Sequence, residues 1–182
     1  MKKGIDYIGV GAGAMIFNDQ GMLFLSKRSM LAKNEKGYWE TPGGTVDFGE
    51  TLEQAARREM LEEYGADIDI IEQWEAEDHI IPEDNQHWIA VTFLAKFKPG
   101  QEPRILEPHK CDAIGWFALD NLPAPLSIIT KLDIKRYNEK YIRKNGEKKR
   151  EIISAYRTSL IIFVLFLLFL GLMFAYLLID RD

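Results

Sequence analysis

The stretch GTVDFGETLEQAARREMLEEYGA, residues 44–66, decides how this chain is read. It predicts a helix from Leu52 to Tyr64. Thr51 stands where an N-cap belongs and Gln54 follows three positions later, the capping-box arrangement, while Gly65 takes the place where a left-handed C-terminal residue is favoured. Leu52, Ala55, Ala56, Met60 and Tyr64 recur at spacings of three and four and form the stripe expected to face a core. Glu59, Glu62 and Glu63 lie at i, i+3 and i+4, so their carboxylates project from one helix face within reach of a shared hard cation. A solvated acidic face is the ordinary explanation of such a cluster. Against it stand the mutual repulsion of three neighbouring carboxylates and the tight bend Pro42-Gly43-Gly44 just ahead of them.

From Gly44 outward the pattern is Gly, five residues, Glu50, seven residues, Arg58-Glu59, an aliphatic residue, one residue, Glu62-Glu63, one residue, Gly65, then Ala66. This resembles the Nudix box at every fixed position; Ala66 is smaller than the usual aliphatic residue there. The resemblance implies an α/β Nudix fold, a mixed β-sheet sandwiched by α-helices. It also implies a hydrolase that uses Mg2+, with Mn2+ as an alternative, to cleave a diphosphate linkage in a nucleotide-like substrate. By the same resemblance Glu59 and Glu63 are the principal metal ligands, with the Gly43 carbonyl as a further one. Glu62 is a ligand or proton acceptor, so that Glu62 and Glu63 carry the catalysis. Gly44 lies beside the substrate, and Arg58 pairs with Glu50 to orient the loop against the helix without touching substrate. Arg28, at the end of the second strand, is either an ordinary solvated residue or, as in many Nudix enzymes, a substrate-phosphate contact. Glu107 is either the general base or an exposed loop residue.

Residues 5 to about 135 are also similar to a narrower group, the MutT-type nucleoside triphosphate diphosphatases. The similarity lies in Gly49-Glu50-Thr51, His87-Trp88, the run from Glu107 to Cys111, Trp116 and Asn121-Leu122-Pro123. It implies cleavage of a (d)NTP to the monophosphate and pyrophosphate. Ser127-Ile128-Ile129 stands where those relatives carry base-stacking aromatics, which leaves the base preference open. Pro82, sixteen residues beyond Ala66, keeps ADP-ribose pyrophosphatase as the alternative. A second class of alternative is a membrane-tethered nucleotide sensor, because fold alone does not choose between catalysis and sensing.

Around the box, Ile5–Phe17 and Met22–Ser26 predict two strands joined by a hairpin turn at residues 18–21. Residues 29–38 read as a loop. Ile68–Trp74, His87–Phe97 and Ala113–Phe117 have strand character, the second presenting Ile89, Val91, Phe93, Ala95 and Phe97 on one face. A helix is expected from Leu126 to Arg143. At least three of Trp39, Trp74, Trp88 and Trp116 are assigned to packing. The single cysteine, Cys111, excludes an intramolecular disulfide and is expected to be a small buried residue. His79, His87 and His109 are too scattered in sequence to suggest a metal site.

The net charge of −5 hides an asymmetry: residues 1–130 carry 12 Lys/Arg against 22 Asp/Glu, whereas residues 131–157 carry 10 against 4. An acidic body argues against a nucleic-acid polymer as partner and is compatible with a small phosphorylated substrate brought in through metal ions. Leu160 to Ile179 is a run of 20 residues without a charge, about 30 Å long as a helix, and predicts one C-terminal transmembrane helix. Basic residues crowd its N-terminal side, which predicts a single-pass membrane protein with the catalytic domain in the cytoplasm. The expected organisation is a Nudix domain over 1–143, a basic juxtamembrane linker over 144–158 and a span over 159–179. Gly171 is the one glycine of that span, and self-association as a homo-oligomer is left open.

Overall fold

Two sheets and one central helix carry the structure. The computed structural model describes residues 1–143. A five-stranded sheet contains β1 (Gly9–Ile16), β4 (Gly43–Thr45), β5 (Ile68–Gln73), β6 (Glu77–Ile81) and β7 (Gln86–Phe97). A three-stranded sheet runs in the order β3 (Trp39–Glu40), β2 (Leu23–Arg28), β8 (Cys111–Phe117). The first sheet is mixed: β1 pairs with β7 in parallel, and the remaining pairs are antiparallel. β7 is long enough to pair with β5 along residues 93–97 and with β6 along residues 86–90.

The turn at residues 18–21 forms as expected: the Asn18 Oδ1 accepts from the N–H groups of Gln20 (3.1 Å) and Met22 (2.9 Å). The strands it joins do not stay paired. After a single bridge between Phe17 and Leu23 they diverge, β1 into the larger sheet and β2 into the smaller, so the expected hairpin is instead the point where the chain changes sheet. Phe24 on β2 then spans the gap, meeting Tyr64, Phe97 and Trp116 edge-on at centroid distances of 5.5, 5.2 and 5.2 Å.

The helix α1 (Leu52–Tyr64) has the predicted boundaries. Thr51 and Gln54 form a reciprocal capping box, and Gly65 closes the helix at φ 67°. Ala55, Ala56, Met60 and Tyr64 are buried as the stripe requires; Leu52 is only partly buried, and Glu59 joins the buried face. In β7 burial covers both faces from Val91 to Ala95 rather than alternating, because the strand lies inside the sheet with cover on each side. The expected second helix appears as α2 (Ile128–Tyr137), continued by a π-helical turn over Asn138–Arg143.

The described residues fall in two compact units, one of Met1–Lys135 and one beginning at Arg136. In the latter, the rings of Tyr137 and Tyr141 lie 4.9 Å apart. The expectation of a single-pass membrane protein with a cytoplasmic domain is corrected here. Among the described residues no helix is long and apolar enough to cross a membrane. The segments on which that expectation rested, the linker 144–158 and the span 159–179 with Leu160 to Ile179, lie outside the described residues.

Beneath the larger sheet is a buried polar network. Asp133 Oδ2 accepts from Thr92 Oγ1 (3.0 Å) and Thr41 Oγ1 (3.2 Å), and Thr130 Oγ1 accepts from the Thr41 N–H (2.7 Å) and Ser127 Oγ (2.8 Å). Burial raises the Asp133 carboxyl to about 7, against the two threonine bonds, which oppose the shift. The folded chain therefore holds this proton more tightly than the unfolded one. The stability it contributes is complete below the ordinary aspartate value of 3.8 and is lost as pH rises to about 7. Asp133→Asn, whose amide oxygen still accepts from both threonines, is expected to melt progressively higher than the parent between pH 5 and pH 8. A difference in Tm that does not change with pH would show that Asp133 is ionised in the fold.

Candidate active site

The site is built where the bend before α1 meets the helix itself. Gly43 pairs with Gly13, and a Cβ on Gly43 would stand 2.5 Å from the Gly13 Cα and 2.8 Å from the Ala12 carbonyl oxygen. One residue on, a Cβ on Gly44 would overlap the Glu59 carboxylate. The two glycines thus let β4 lie flat on β1 and let a buried glutamate from the helix rest directly against the backbone of the bend.

Arg58 ties the rest together. It donates to both Glu50 oxygens (2.7 and 3.1 Å), to the Thr45 carbonyl (2.8 Å), to Glu59 Oε1 (2.8 Å) and to Glu62 Oε2 (3.0 Å). With a further bond from the Asp47 N–H, these contacts hold Glu50 down at about 2. The arginine therefore stays charged and spans box, bend and loop.

The acidic side chains have unlike environments. Burial raises Glu59, against the Arg58 guanidinium, which opposes it. Burial also raises Glu63 to about 7; Lys110 counters this and the Glu59 charge adds to it. Glu62 is half-exposed and rests on Arg58. Glu59 and Glu63 line one cavity of about 540 Å³, whereas Glu62 does not reach it. Among the described residues no three of His, Cys, Asp and Glu stand close enough to hold a metal ion between them. The donor types nonetheless suit a hard cation: two carboxylates facing a cavity, beside a backbone bend that a Cβ would fill.

From Glu59 and Glu63 the cavity extends past Arg28 and Glu40 to Asn34, Glu35, His79, Gln86 and Trp88. Arg28 is heavily engaged. It pairs with both oxygens of Glu40 (2.9 and 2.8 Å) and donates to the Asn34 carbonyl (3.0 Å) and Asn34 Oδ1 (2.5 Å). At the far end Gln86 Oε1 accepts from Asn34 Nδ2 and Trp88 Nε1, both at 2.9 Å, and Glu35 takes the Ile128 N–H at 2.7 Å. His79 Nε2 is buried without a hydrogen-bond partner and lies 3.5 Å from Glu35 Oε2.

This far wall went unnoticed in the sequence. His79 arrives on β6, a strand that the periodicity did not reveal, and Glu35 sits in the loop 29–38 at a positive φ of 42°. Of the tryptophans, Trp116 packs on Phe24 and Phe97, Trp39 on Phe117, and Trp74 is buried, while Trp88 lines the cavity. Cys111 is buried, with its thiol pushed up by burial. Glu107 lies on the loop before β8, its carboxylate 2.6 Å from the Lys110 ammonium.

Comparison with known proteins agrees with this architecture. The NUDIX domain family matches residues 8–137, and the chain belongs to that family of hydrolases. It is similar to a MutT NUDIX hydrolase from Burkholderia pseudomallei of known crystal structure, with a TM-score of 0.65 and 41% identity over 71% of this chain and 97% of that one. It is also similar to an RNA pyrophosphohydrolase from Wolbachia pipientis subsp. Culex pipiens (strain wPip), 46% identical over 77 residues, a stretch covering 42% of this chain and 39% of that protein. The RNA pyrophosphohydrolase of Gluconacetobacter diazotrophicus is 29% identical over 136 residues, 61% of this chain and 77% of that protein. Nudix hydrolases generally use divalent metal ions such as Mg2+.

The contact between Gly44 and Glu59 is directly testable. Gly44→Ala forces the carboxylate off the bend, and a displacement of about 1 Å in a catalytic group costs on the order of 100-fold in rate. Hydrolysis by Gly44→Ala is therefore expected to fall by about that factor, while Gly21→Ala, which strains the backbone at φ 74° in the 18–21 turn but does not line the cavity, retains far more of it. Equal activity in the two variants would show that the close approach at Gly44 is incidental.

Proposed function

We propose that this protein hydrolyses a nucleoside triphosphate to the monophosphate and pyrophosphate with the help of Mg2+. The observation that carries the reading is one continuous cavity with a carboxylate end at Glu59 and Glu63 and a hydrogen-bonding end at Asn34, Glu35, Gln86 and His79. A volume of about 540 Å³ suits one nucleotide. Triphosphate is assigned to the first end and the base to the second. The similarity to a MutT-named hydrolase over nearly that protein's whole length supports the choice of a nucleoside triphosphate.

On this reading Glu59 and Glu63 hold the cation with the Gly43 carbonyl, and Mn2+ substitutes for Mg2+. When bound, the ion neutralises phosphate charge and acidifies a water for attack on phosphorus. The chain's own groups do the rest. Gly44 lets the Glu59 carboxylate lie where the phosphates pass, and Arg58 with Glu50 fixes the loop so that Glu59 does not turn away. Glu62 rests on Arg58 outside the cavity, so it accepts the proton of the attacking water or joins the ligand set only by turning off that arginine; Glu107, joined to Glu63 through Lys110, is the other acceptor. Arg28 shapes the wall through Glu40 and Asn34, leaving little of its guanidinium for phosphate.

ADP-ribose remains the alternative substrate, and the names of the relatives add 5′-triphosphorylated RNA to the set that merits assay. Purified full-length chain with Mg2+ and a panel of dNTPs, NTPs, oxidised dGTP, ADP-ribose and a short 5′-triphosphorylated RNA separates these. Release of pyrophosphate and monophosphate from a free nucleotide is expected, with a loss of roughly 100-fold or more in Glu63→Gln and in Glu62→Gln. Preferential turnover of ADP-ribose or of the RNA would replace the proposed substrate. Tight nucleotide binding without turnover would favour a sensor.

A further inference from the structure

Lys110 is placed where two positive charges would compete. It stands on the loop leading into β8, and that loop is fastened to the end of α1: the Leu106 N–H donates to the Glu63 carbonyl at 2.8 Å and the Arg104 N–H to the Tyr64 carbonyl at 3.0 Å. The Lys110 backbone is held on both sides, its N–H donating to the Glu107 carbonyl (2.9 Å) and its carbonyl accepting from the Ser29 N–H (2.8 Å). Its ammonium is then delivered to the cavity wall, 2.6 Å from Glu107 Oε2 and 3.4 Å from Glu63 Oε1. The side chain is 47% exposed and Glu63 only 12%. Among the described residues the ion pair of Glu63 is thus with a half-exposed lysine, whereas Glu59 is paired with Arg58.

We propose that Lys110 is a counter-ion with two stations: without a divalent cation it neutralises Glu63, and when the cation takes Glu63 it turns, still on Glu107, to donate to a phosphate oxygen of the substrate in the same cavity. The inference rests on the reading of Glu59 and Glu63 as the cation site. Like charges sharing one carboxylate oxygen repel, so the ammonium must leave Glu63 as the cation arrives. Glu107, whose carboxylate lies closer to Lys110 than Glu63 does, keeps the ammonium at the cavity wall. A lysine is suited to the exchange because its flexible stem carries a point charge with three rotatable donors. The arrangement protects the buried acid while the site waits and supplies a phosphate contact only when the cation is present. Lys110 is thus a substrate-binding and positioning residue, with no bond made or broken at its amine.

Opposite effects on two ligands test this. Full-length protein and its Lys110→Met variant, which keeps the apolar stem without the charge, are titrated calorimetrically with Mn2+ alone and then with inorganic tripolyphosphate at saturating Mg2+. Tripolyphosphate has no base, so the choice of nucleotide does not enter. The variant is expected to bind Mn2+ about 3-fold or more tightly, because a competing charge is gone, and tripolyphosphate about 10-fold or more weakly, because a charged hydrogen bond is gone. Lys110→Gln, a polar substitute, is expected to show the same pair of changes if Lys110→Met fails to fold. Unchanged or weaker Mn2+ binding overturns the proposal, as does unchanged tripolyphosphate binding. If the parent protein itself takes up no Mn2+, the cation site has failed and Lys110 with it; parental uptake with no opposite response in the variants defeats Lys110 alone.

Discussion

The absence of a side chain at Gly44 is the constraint on which the rest depends. A carboxylate from α1 lies against the backbone of the β4 bend, in space that any Cβ would occupy. That contact fixes how close helix and sheet approach, and it buries Glu59 on the same helix face as Ala55, Ala56 and Met60. A buried acid is costly unless compensated. Arg58 compensates it from one side while also binding Glu50, Glu62 and the Thr45 carbonyl, so the same guanidinium that neutralises the acid locks the loop preceding the helix. The close approach at Gly44, the buried acid and the arginine are one device, and the carboxylate end of the cavity is formed by it.

Several features of this device were legible in the sequence because they are local. The helix boundaries follow from Thr51, Gln54 and Gly65, which act on neighbouring backbone groups within a turn of themselves. The spacing of Glu59 and Glu63 places both on the cavity for the same reason. What one dimension hid was long-range. The separation of β1 from β2 into different sheets depends on β7 and β8, which come seventy or more residues later, as the Gly9–Trp88 and Leu23–Phe117 pairings show. Glu62 has the same helical spacing as its neighbours yet turns to Arg58 and solvent, a choice set by the arginine's other partners.

The far wall of the cavity shows the same limit more sharply. Asn34, Glu35, His79 and Gln86 come from a loop, a strand and the start of another strand, and none belongs to a recognisable spacing. β6 carries no strand signal of its own, since Glu77, Asp78 and His79 are polar; the strand exists by pairing with the first half of β7. The resemblance to Nudix enzymes therefore points to the carboxylate end of the cavity, and the tertiary structure supplies the groups of its far wall. At the carboxylate end of the cavity burial raises both Glu59 and Glu63.

Crystals grown with Mn2+ and examined by anomalous diffraction probe the central claim most directly. The account predicts a strong anomalous peak within about 2.0–2.3 Å of carboxylate oxygens from both Glu59 and Glu63, on the cavity side of the Gly44 bend. A peak elsewhere, or none at a Mn2+ concentration that supports hydrolysis, would contradict it.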